Sequence, residues 1–440
     1  MKRVSVVLVV LFGSAAWLGT NSVWMQLPLL TAVLPEGWGL PSFLAMVVQI
    51  ACVGPLVYGV LHKCCCHLSS AALIITVLTL ACLCQAILAL AWHATANIFG
   101  GQYSLWLYVL LFGLALVNAT SNVLFMPFMA QYHPSLLNAY FGGMGLSSLV
   151  PSLLSLVQGT SNYECVAGVS NDNLTSPQAT PVYSPPRFGV STYFGLITAW
   201  TVLATVSFVV LTRKSDERTR KEKQEEEMDG DVKKDAPTES SPLNNRVGEA
   251  GGESEECGRS REREVARVTR AGRFVMLFLT ALVNAQMNGV IPSIHSYAAL
   301  PYSQTVYHLG LTLSNILSPI ASFLPLYYST KSLPSLAALT ALSSFTTAFI
   351  VFMALYSPGL LISQSVGGTL SVMSTVLAAG LHSYLRTLFA SLLRETGGEK
   401  SENWLFWCGV FIQIGSFIGS AIMFPLVNFA GIFHSAPQCP

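Results

Sequence analysis

The sequence predicts an all-α integral membrane protein with about eleven transmembrane helices. Hydrophobic residues make up 52% of its 440 residues, charged residues make up 10%, and the mean hydropathy is +0.54. Soluble domains carry about 25% charged residues, so lipid must solvate most of this chain. All 22 Asp and Glu lie outside the long apolar runs. Polar contacts within the membrane must therefore come from side chains other than Asp and Glu, chiefly uncharged ones.

Each apolar run is long enough to cross about 30 Å of hydrocarbon as a helix. The runs are continuous and lack the alternation of barrel strands, which favours helices. They cover residues 5–33, 41–61, 69–92, 104–131, 137–158, 189–211, 273–297, 303–328, 334–356, 360–384 and 404–427.

One charged segment divides the chain into six spans plus five. It holds most of the acidic residues, mixed with Lys, Arg, Ser, Gly and Pro, and it has too little apolar surface to fold. We therefore predict four parts: a six-helix bundle over 1–211, a disordered cytoplasmic loop over 212–272, a five-helix bundle over 273–428 and an extracellular tail over 429–440.

The basic residues predict the orientation, because Lys and Arg favour the cytoplasmic side of short loops. With a cytoplasmic N-terminus, only Arg187 of the 23 Lys and Arg falls in an outer loop. The C-terminus is then extracellular. Lys2 and Arg3 resemble the start of a signal peptide, but the apolar run continues past Trp17 without a small-residue cleavage site. We expect the first span to be retained.

The predicted outer loop carries a candidate modification site. Asn173 begins an Asn-Leu-Thr sequon and is a candidate for N-glycosylation. Cys165 in this loop and Cys439 in the tail both face an oxidising medium. They either form a disulfide or remain unpaired.

The sequence lacks the motifs that are typical of hydrolytic or metal-dependent enzymes. It has no HExxH or GxSxG motif and no paired carboxylates near the spans, so an enzyme is not expected. Cysteines 64–66 are crowded together, which suits S-acylation better than a tetrahedral metal site. Basic residues are interleaved with acidic ones, so nucleic-acid binding is not expected. We predict no metal and no cofactor.

Polar residues within the spans of the first half are candidate substrate contacts, because polar groups in hydrocarbon are costly unless they face a partner or a cavity. In the first span, Asn21 and Trp24 share one helical face, and Gln26 lies on a neighbouring face. The fourth span carries a similar stripe, formed by Asn118, Asn122 and Phe125.

The second half repeats this pattern. In both halves the first span has amides followed by a proline, an interruption typical of transporter substrate sites. The alternative for each residue is a hydrogen bond that merely joins two helices. The candidates are Asn284 and Asn288 in the seventh span, His308, Thr312 and Asn315 in the eighth, and Gln413, aligned with Ser416, in the eleventh.

Three blocks of sequence carry a family resemblance. They are GTNSVWMQLPLL at 19–30, VNAQMNGVIPSIHSY at 283–297 and LFWCGVFIQIGSFIGSAIMFPLVN at 405–428. The chain resembles the vertebrate riboflavin transporter family over nearly all its spans and departs from it in the loops. The resemblance implies plasma-membrane uptake of riboflavin by alternating access, in a fold similar to equilibrative nucleoside transporters and the major facilitators.

The resemblance also implies that the candidate residues bind riboflavin. The flat isoalloxazine ring suits an aromatic face such as Trp24 or Phe125, and the ribityl hydroxyls suit neutral amides. Gln26 and Met144 stand where the family is expected to carry Glu. We therefore expect facilitative, sodium-independent uptake with weak pH dependence.

Other interpretations stay open at this stage. Glu36 is a candidate gating residue or simply a turn residue in PEGWG. The cargo is riboflavin or, alternatively, a nucleoside or another flat polar metabolite. A further alternative is a cell-surface receptor for a ligand or virus, with which the predicted outer loop is compatible.

Overall fold

A computed structural model describes most of the chain and shows a helical bundle. The described residues are 2–52, 54–55, 69–98, 100–130, 134–159, 163–167, 179–183, 185–232, 270–360, 362–397 and 401–435. The helices of the first half are α1 (Lys2–Val33), α2 (Leu40–Ala51), α3 (Ser70–Ala91), α4 (Leu105–Ala130), α5 (Pro134–Gln158) and α6 (Val190–Val232).

The second half begins with a helix that changes its winding. A π-helical segment, Gln286–Val290, joins α7 to α8 in one continuous rod. The helices are α7 (Arg270–Ala285), α8 (Ile291–Ala299), α9 (Gln304–Phe323), α10 (Leu333–Tyr356), α11 (Gln364–Thr396) and α12 (Ser401–Asn428).

Each predicted span overlaps a helix in the structure. Among the described residues, seven helices are long and apolar enough to cross a membrane by length and composition. Within the described residues, two further apolar helical stretches are shorter, at Gly37–Ala51 and Leu105–Ser121. The all-α membrane class is confirmed, and the number eleven stays a prediction.

Several boundaries differ from the predicted ones. The charged segment was expected to be disordered from residue 212, but α6 continues to Val232, because Glu, Lys, Arg and Gln are good helix formers. Likewise α11 runs to Thr396, well beyond residue 384. Two short hairpins also occur in the loops: β1 (Ala96–Ile98) with β2 (Gly101–Tyr103), and β3 (Tyr163–Ala167) with β4 (Ala179–Tyr183).

Glycines bring the first and fifth predicted spans of each half into close contact. A Cβ on Gly143 of α5 would collide with the Val10 carbonyl oxygen of α1, and Gly13 of α1 lies against α5 in the same way. In the second half, a Cβ on Gly415 of α12 would collide with the Ala281 carbonyl oxygen of α7. Small residues therefore allow close helix contact in both halves.

The two halves meet along two seams, with α2 packed against α12 and α5 against α9. We name the two ends of the bundle after residues. At the Glu36 end, α1 terminates and α2 and α4 begin. At the Arg273 end, α7 and α12 begin and α11 terminates.

The contact through Gly415 predicts a stability difference within α12. Gly415→Ala should destabilise the protein by about 1–3 kcal/mol, because the added methyl group forces α7 and α12 apart. Gly409→Ala is the matched control, since a Cβ there meets nothing within 4 Å. Thermal unfolding of detergent-solubilised protein measures both. Equal melting temperatures for the two variants would contradict this packing.

Candidate functional site

Helix α1 is largely buried along its central part. It packs against α4, α5, α6 and α9. Between residues 12 and 31, all of which are described, only Trp17, Asn21 and Trp24 are not buried. Their spacing of four and three residues places them on one face of the helix. We call these three residues the α1 stripe.

The α1 stripe supports one sequence prediction and adds a residue to it. Asn21 and Trp24 share a partly exposed face, as their spacing indicated. Trp17 was not among the predicted residues, although it lies four positions before Asn21 and so follows the same periodicity. The side-chain amide of Asn21 donates to the Ser147 carbonyl of α5 (3.2 Å). That bond uses one of its two N–H donors.

Gln26 is fully buried and holds helices together. Its Nε2 donates to Oε1 of Gln158 on α5 (2.6 Å), and Gln158 donates in turn to the Phe188 carbonyl just before α6 (3.1 Å). Both polar ends of the Gln26 amide face Gln158. In this structure Gln26 therefore cannot contact a ligand.

The predicted stripe of α4 lies in the helix packing. Asn118 is buried and hydrogen-bonded to Thr20 of α1. Phe125 is fully buried, with its ring centroid 5.0 Å from that of Phe12. The side chain of Asn122 lies outside the described residues. The two described members of this stripe are thus not available to a ligand in this structure.

In the second half, the amide of Asn288 in the π-helical segment forms an interhelical link, and that of Asn284 bonds within α7. Asn288 Nδ2 donates to the Ser416 hydroxyl of α12 (3.0 Å), and Asn284 Nδ2 donates to the Thr280 carbonyl (2.8 Å). Gln413 was expected to align with Ser416, but Ser416 is buried and Gln413 is exposed. The reason is that Ser416 faces α7, whereas Gln413 lies beside the exposed Phe417.

The predicted residues of α9 lie along the seam between the halves. His308 Nε2 is 2.9 Å from the Ser155 hydroxyl of α5. Asn315 donates to the Leu311 carbonyl (3.0 Å) and lies 3.9 Å from the sulfur of Met25. The hydroxyl of Thr312 is buried and has no partner in the described part of the chain. This seam brings polar groups of α9 next to α1 and α5.

A second polar cluster was missed by the sequence reasoning. Gln286, the first residue of the π-helical segment, donates to the Ser344 hydroxyl (2.8 Å). Its Oε1 lies 3.1 Å from Nε2 of His382 on α11. The sequence shows a glutamine and a histidine in the middle of two apolar runs. It does not show that they are close together, because that depends on how α7 and α11 pack.

Glu36 joins two elements at its end of the bundle. Its carboxylate accepts from the Ser104 backbone N–H (2.6 Å) and hydroxyl (2.8 Å), and the Tyr108 hydroxyl also donates to it. These bonds tie the turn after α1 to the start of α4. In this structure Glu36 therefore fixes the position of the turn after α1 relative to α4.

The two halves are closed against each other at the Glu36 end. The Ser296 hydroxyl of α8 donates to the Trp38 carbonyl (2.7 Å), and Asn428 of α12 donates to the Ser42 hydroxyl (2.7 Å). Beside them, the rings of Phe43 and Phe424 meet edge to face at 5.0 Å. We call this set of contacts the Glu36-end gate.

The remaining predicted sites are not tested by the structure. Asn173 and Cys439 lie outside the described residues, and only the backbone of Cys165 is described, within β3. Glycosylation and the disulfide remain predictions.

The fold resembles solved solute transporters. The nucleoside transporter NupG matches with a TM-score of 0.51 at 10% identity, covering 97% of this chain and 91% of that one. A POT peptide transporter matches with a TM-score of 0.54 at 14% identity, covering 97% and 89%. At such low identity the likeness concerns the fold alone. The chain therefore shares the fold of these two transporters.

Sequence comparison identifies the family. The profile of solute carrier family 52, riboflavin transporter, matches residues 1–435. The riboflavin transporter rft-2 of Caenorhabditis elegans is 50% identical over 98% of both chains. Member 3 of the human family is 34% identical over 98% of this chain and 97% of its own. The chain belongs to solute carrier family 52 and is a transporter rather than an enzyme.

The Gln26–Gln158 pair predicts a stability difference between two glutamines. Gln26→Leu leaves the buried Gln158 amide without its partner and should destabilise the protein by about 1–3 kcal/mol. Gln413→Leu, the matched control on an exposed apolar face, should have little effect. Thermal unfolding in detergent measures both changes. A Gln26→Leu variant as stable as Gln413→Leu would show that the pair contributes nothing.

Proposed function

We propose that this protein takes up riboflavin across the plasma membrane by alternating access. Membership of solute carrier family 52 supports riboflavin as the cargo. The single structural observation that supports the site is the α1 stripe, a partly exposed aromatic and amide face on a helix that is otherwise buried between residues 12 and 31. A neutral cargo is consistent with the absence of Asp and Glu from the long apolar runs.

The stripe has the chemistry that the isoalloxazine ring requires. Trp17 and Trp24 lie about 10 Å apart along α1 at 1.5 Å per residue. Aromatic faces bind flat rings through dispersion and quadrupole interactions. Asn21 between them presents an amide that matches the donors and acceptors of the uracil-like edge. In our proposal, Trp24 and Trp17 stack on the ring and Asn21 selects its polar edge.

The other predicted polar residues fall into two groups, those that stabilise the helix packing and those that lie next to the stripe. Asn118 and Asn288 join neighbouring helices, and Asn284 donates to a carbonyl within its own helix. His308, Thr312 and Asn315 are on the seam beside α1, where a ligand on the stripe would come within reach of α9. We keep these last three as proposed contacts.

Orientation follows from the basic residues. With the N-terminus inside, the Glu36 end is extracellular and the Arg273 end is cytoplasmic. The closed Glu36-end gate then corresponds to a state shut towards the outside. Release of its hydrogen bonds admits riboflavin to the α1 stripe. We propose that movement is facilitative and sodium-independent.

Competition for uptake tests the cargo. Cells expressing the chain should accumulate labelled riboflavin in sodium-free medium, and excess lumiflavin should compete because it keeps the ring. Uridine should compete poorly, since it lacks the extended ring that spans two tryptophans. FMN should also compete poorly, because the α1 stripe offers no cation for its phosphate. Competition by uridine as strong as by riboflavin would favour a nucleoside carrier.

Substitutions in the α1 stripe test the site. Trp24→Ala should lower uptake roughly fivefold or more, since an aromatic contact contributes about 1 kcal/mol, and Asn21→Ala should also lower it. Trp24→Phe should retain most activity. Trp106→Ala is the matched control, because Trp106 is 51% exposed on α4. Uptake is normalised to surface expression. Full activity of Trp24→Ala would remove the stripe from the site.

A cross-link tests the Glu36-end gate. Cysteines replacing Ser42 and Asn428, whose polar atoms are 2.7 Å apart, should form a disulfide under mild oxidation. Because the halves then cannot separate at this end, uptake should cease and return after reduction. Each single-cysteine variant serves as a control. Uptake that continues through a fully formed cross-link would exclude this end as the gate.

A further inference from the structure

A groove at the Arg273 end is not used by the proposed transport site. It lies between α7 and α12 and has a volume of about 550 Å³. Its lining includes two guanidinium groups, an amide and a row of large apolar side chains. The residues that matter are Arg270, Arg273, Leu277, Asn403, Trp404 and Phe411. We call it the Arg273 groove.

The Arg273 groove changes from cationic to apolar along its length. Arg270 and Asn403 lie near the starts of α7 and α12, at the end of the bundle. Leu277 and Phe411 lie seven and eight residues further along the same helices, about 10–12 Å deeper. This gradient runs parallel to the helices, as a phospholipid does with its headgroup at the membrane surface.

The guanidinium of Arg273 is held in a fixed position. One terminal nitrogen donates to the Thr396 carbonyl, and the group lies 5.0 Å from the centre of the Trp404 ring. Its Nε is buried and has no acceptor in the part of the chain that the structure describes. Stacking and a hydrogen bond together hold this cation in position beside the Arg273 groove.

The nearby carboxylate is already paired. Glu395, close to the end of α11, binds Lys331 at 3.3 Å. Among the described side chains, neither Arg270 nor Arg273 has a carboxylate partner. Two arginines without counter-charge attract an anion, and arginine suits the oxygens of phosphate in particular.

We propose that the Arg273 groove binds an anionic phospholipid. Its phosphate contacts Arg270 and Arg273, and one acyl chain lies along Leu277 and Phe411. The exposed Trp407, at 45%, suits the interface between headgroups and hydrocarbon. In the proposed orientation this end faces the cytoplasmic leaflet, where anionic lipids are concentrated. A free phosphate ion would leave the apolar half of the groove unused.

Lipid binding to the purified full-length chain in detergent tests this proposal. Native mass spectrometry should show phosphatidylglycerol bound roughly tenfold more tightly than phosphatidylcholine. Arg270→Gln should remove most of that preference, and its exposed position allows folding to be retained. Arg273→Gln should do the same. Arg394→Gln removes an exposed charge near the same end, outside the groove lining, and should bind as the wild type does.

Three outcomes would overturn the proposal. The first is equal affinity for the two lipids. The second is an unchanged phosphatidylglycerol affinity in a correctly folded Arg270→Gln variant. The third is displacement of phosphatidylglycerol by millimolar inorganic phosphate, which would assign the groove to a soluble anion. None of these outcomes depends on riboflavin uptake, so the transport proposal stands or falls separately.

Discussion

Backbone-to-backbone packing at glycines is the constraint on which the rest of this bundle depends. Gly13 and Gly143 join α1 to α5, and Gly415 joins α7 to α12 in the same way. Lipid supplies no hydrophobic force between helices, so close van der Waals contact must hold them. Between residues 12 and 31, α1 is buried except at the α1 stripe.

A second constraint follows from the lack of carboxylates in the long apolar runs. Amides and hydroxyls must satisfy one another, because an unpaired polar group in hydrocarbon is costly. The pairs Gln26–Gln158 and Asn288–Ser416 do this within the two halves. Asn21 differs because, among the described residues, its amide nitrogen makes one hydrogen bond, whereas that of Asn288 makes two. Asparagine thus forms an interhelical hydrogen bond at position 288 and is a candidate ligand contact at position 21.

The fold was largely predictable because hydrophobic runs of span length leave little choice of structure in lipid. The site was predictable only in part. Periodicity placed Asn21 and Trp24 on one face, but it could not show that Phe125 packs against Phe12 or that Gln413 points away from α7. A sequence shows which residues share a face. Which neighbour that face meets depends on the packing of distant helices.

The central claim is that riboflavin binds on the α1 stripe, and a structure of the riboflavin-bound protein tests it most directly. We expect density for the isoalloxazine ring in stacking contact, about 4 Å, with Trp24. We also expect the polar edge of the ring within hydrogen-bonding distance of Asn21. Density elsewhere in the bundle, with no contact to α1, would contradict the account.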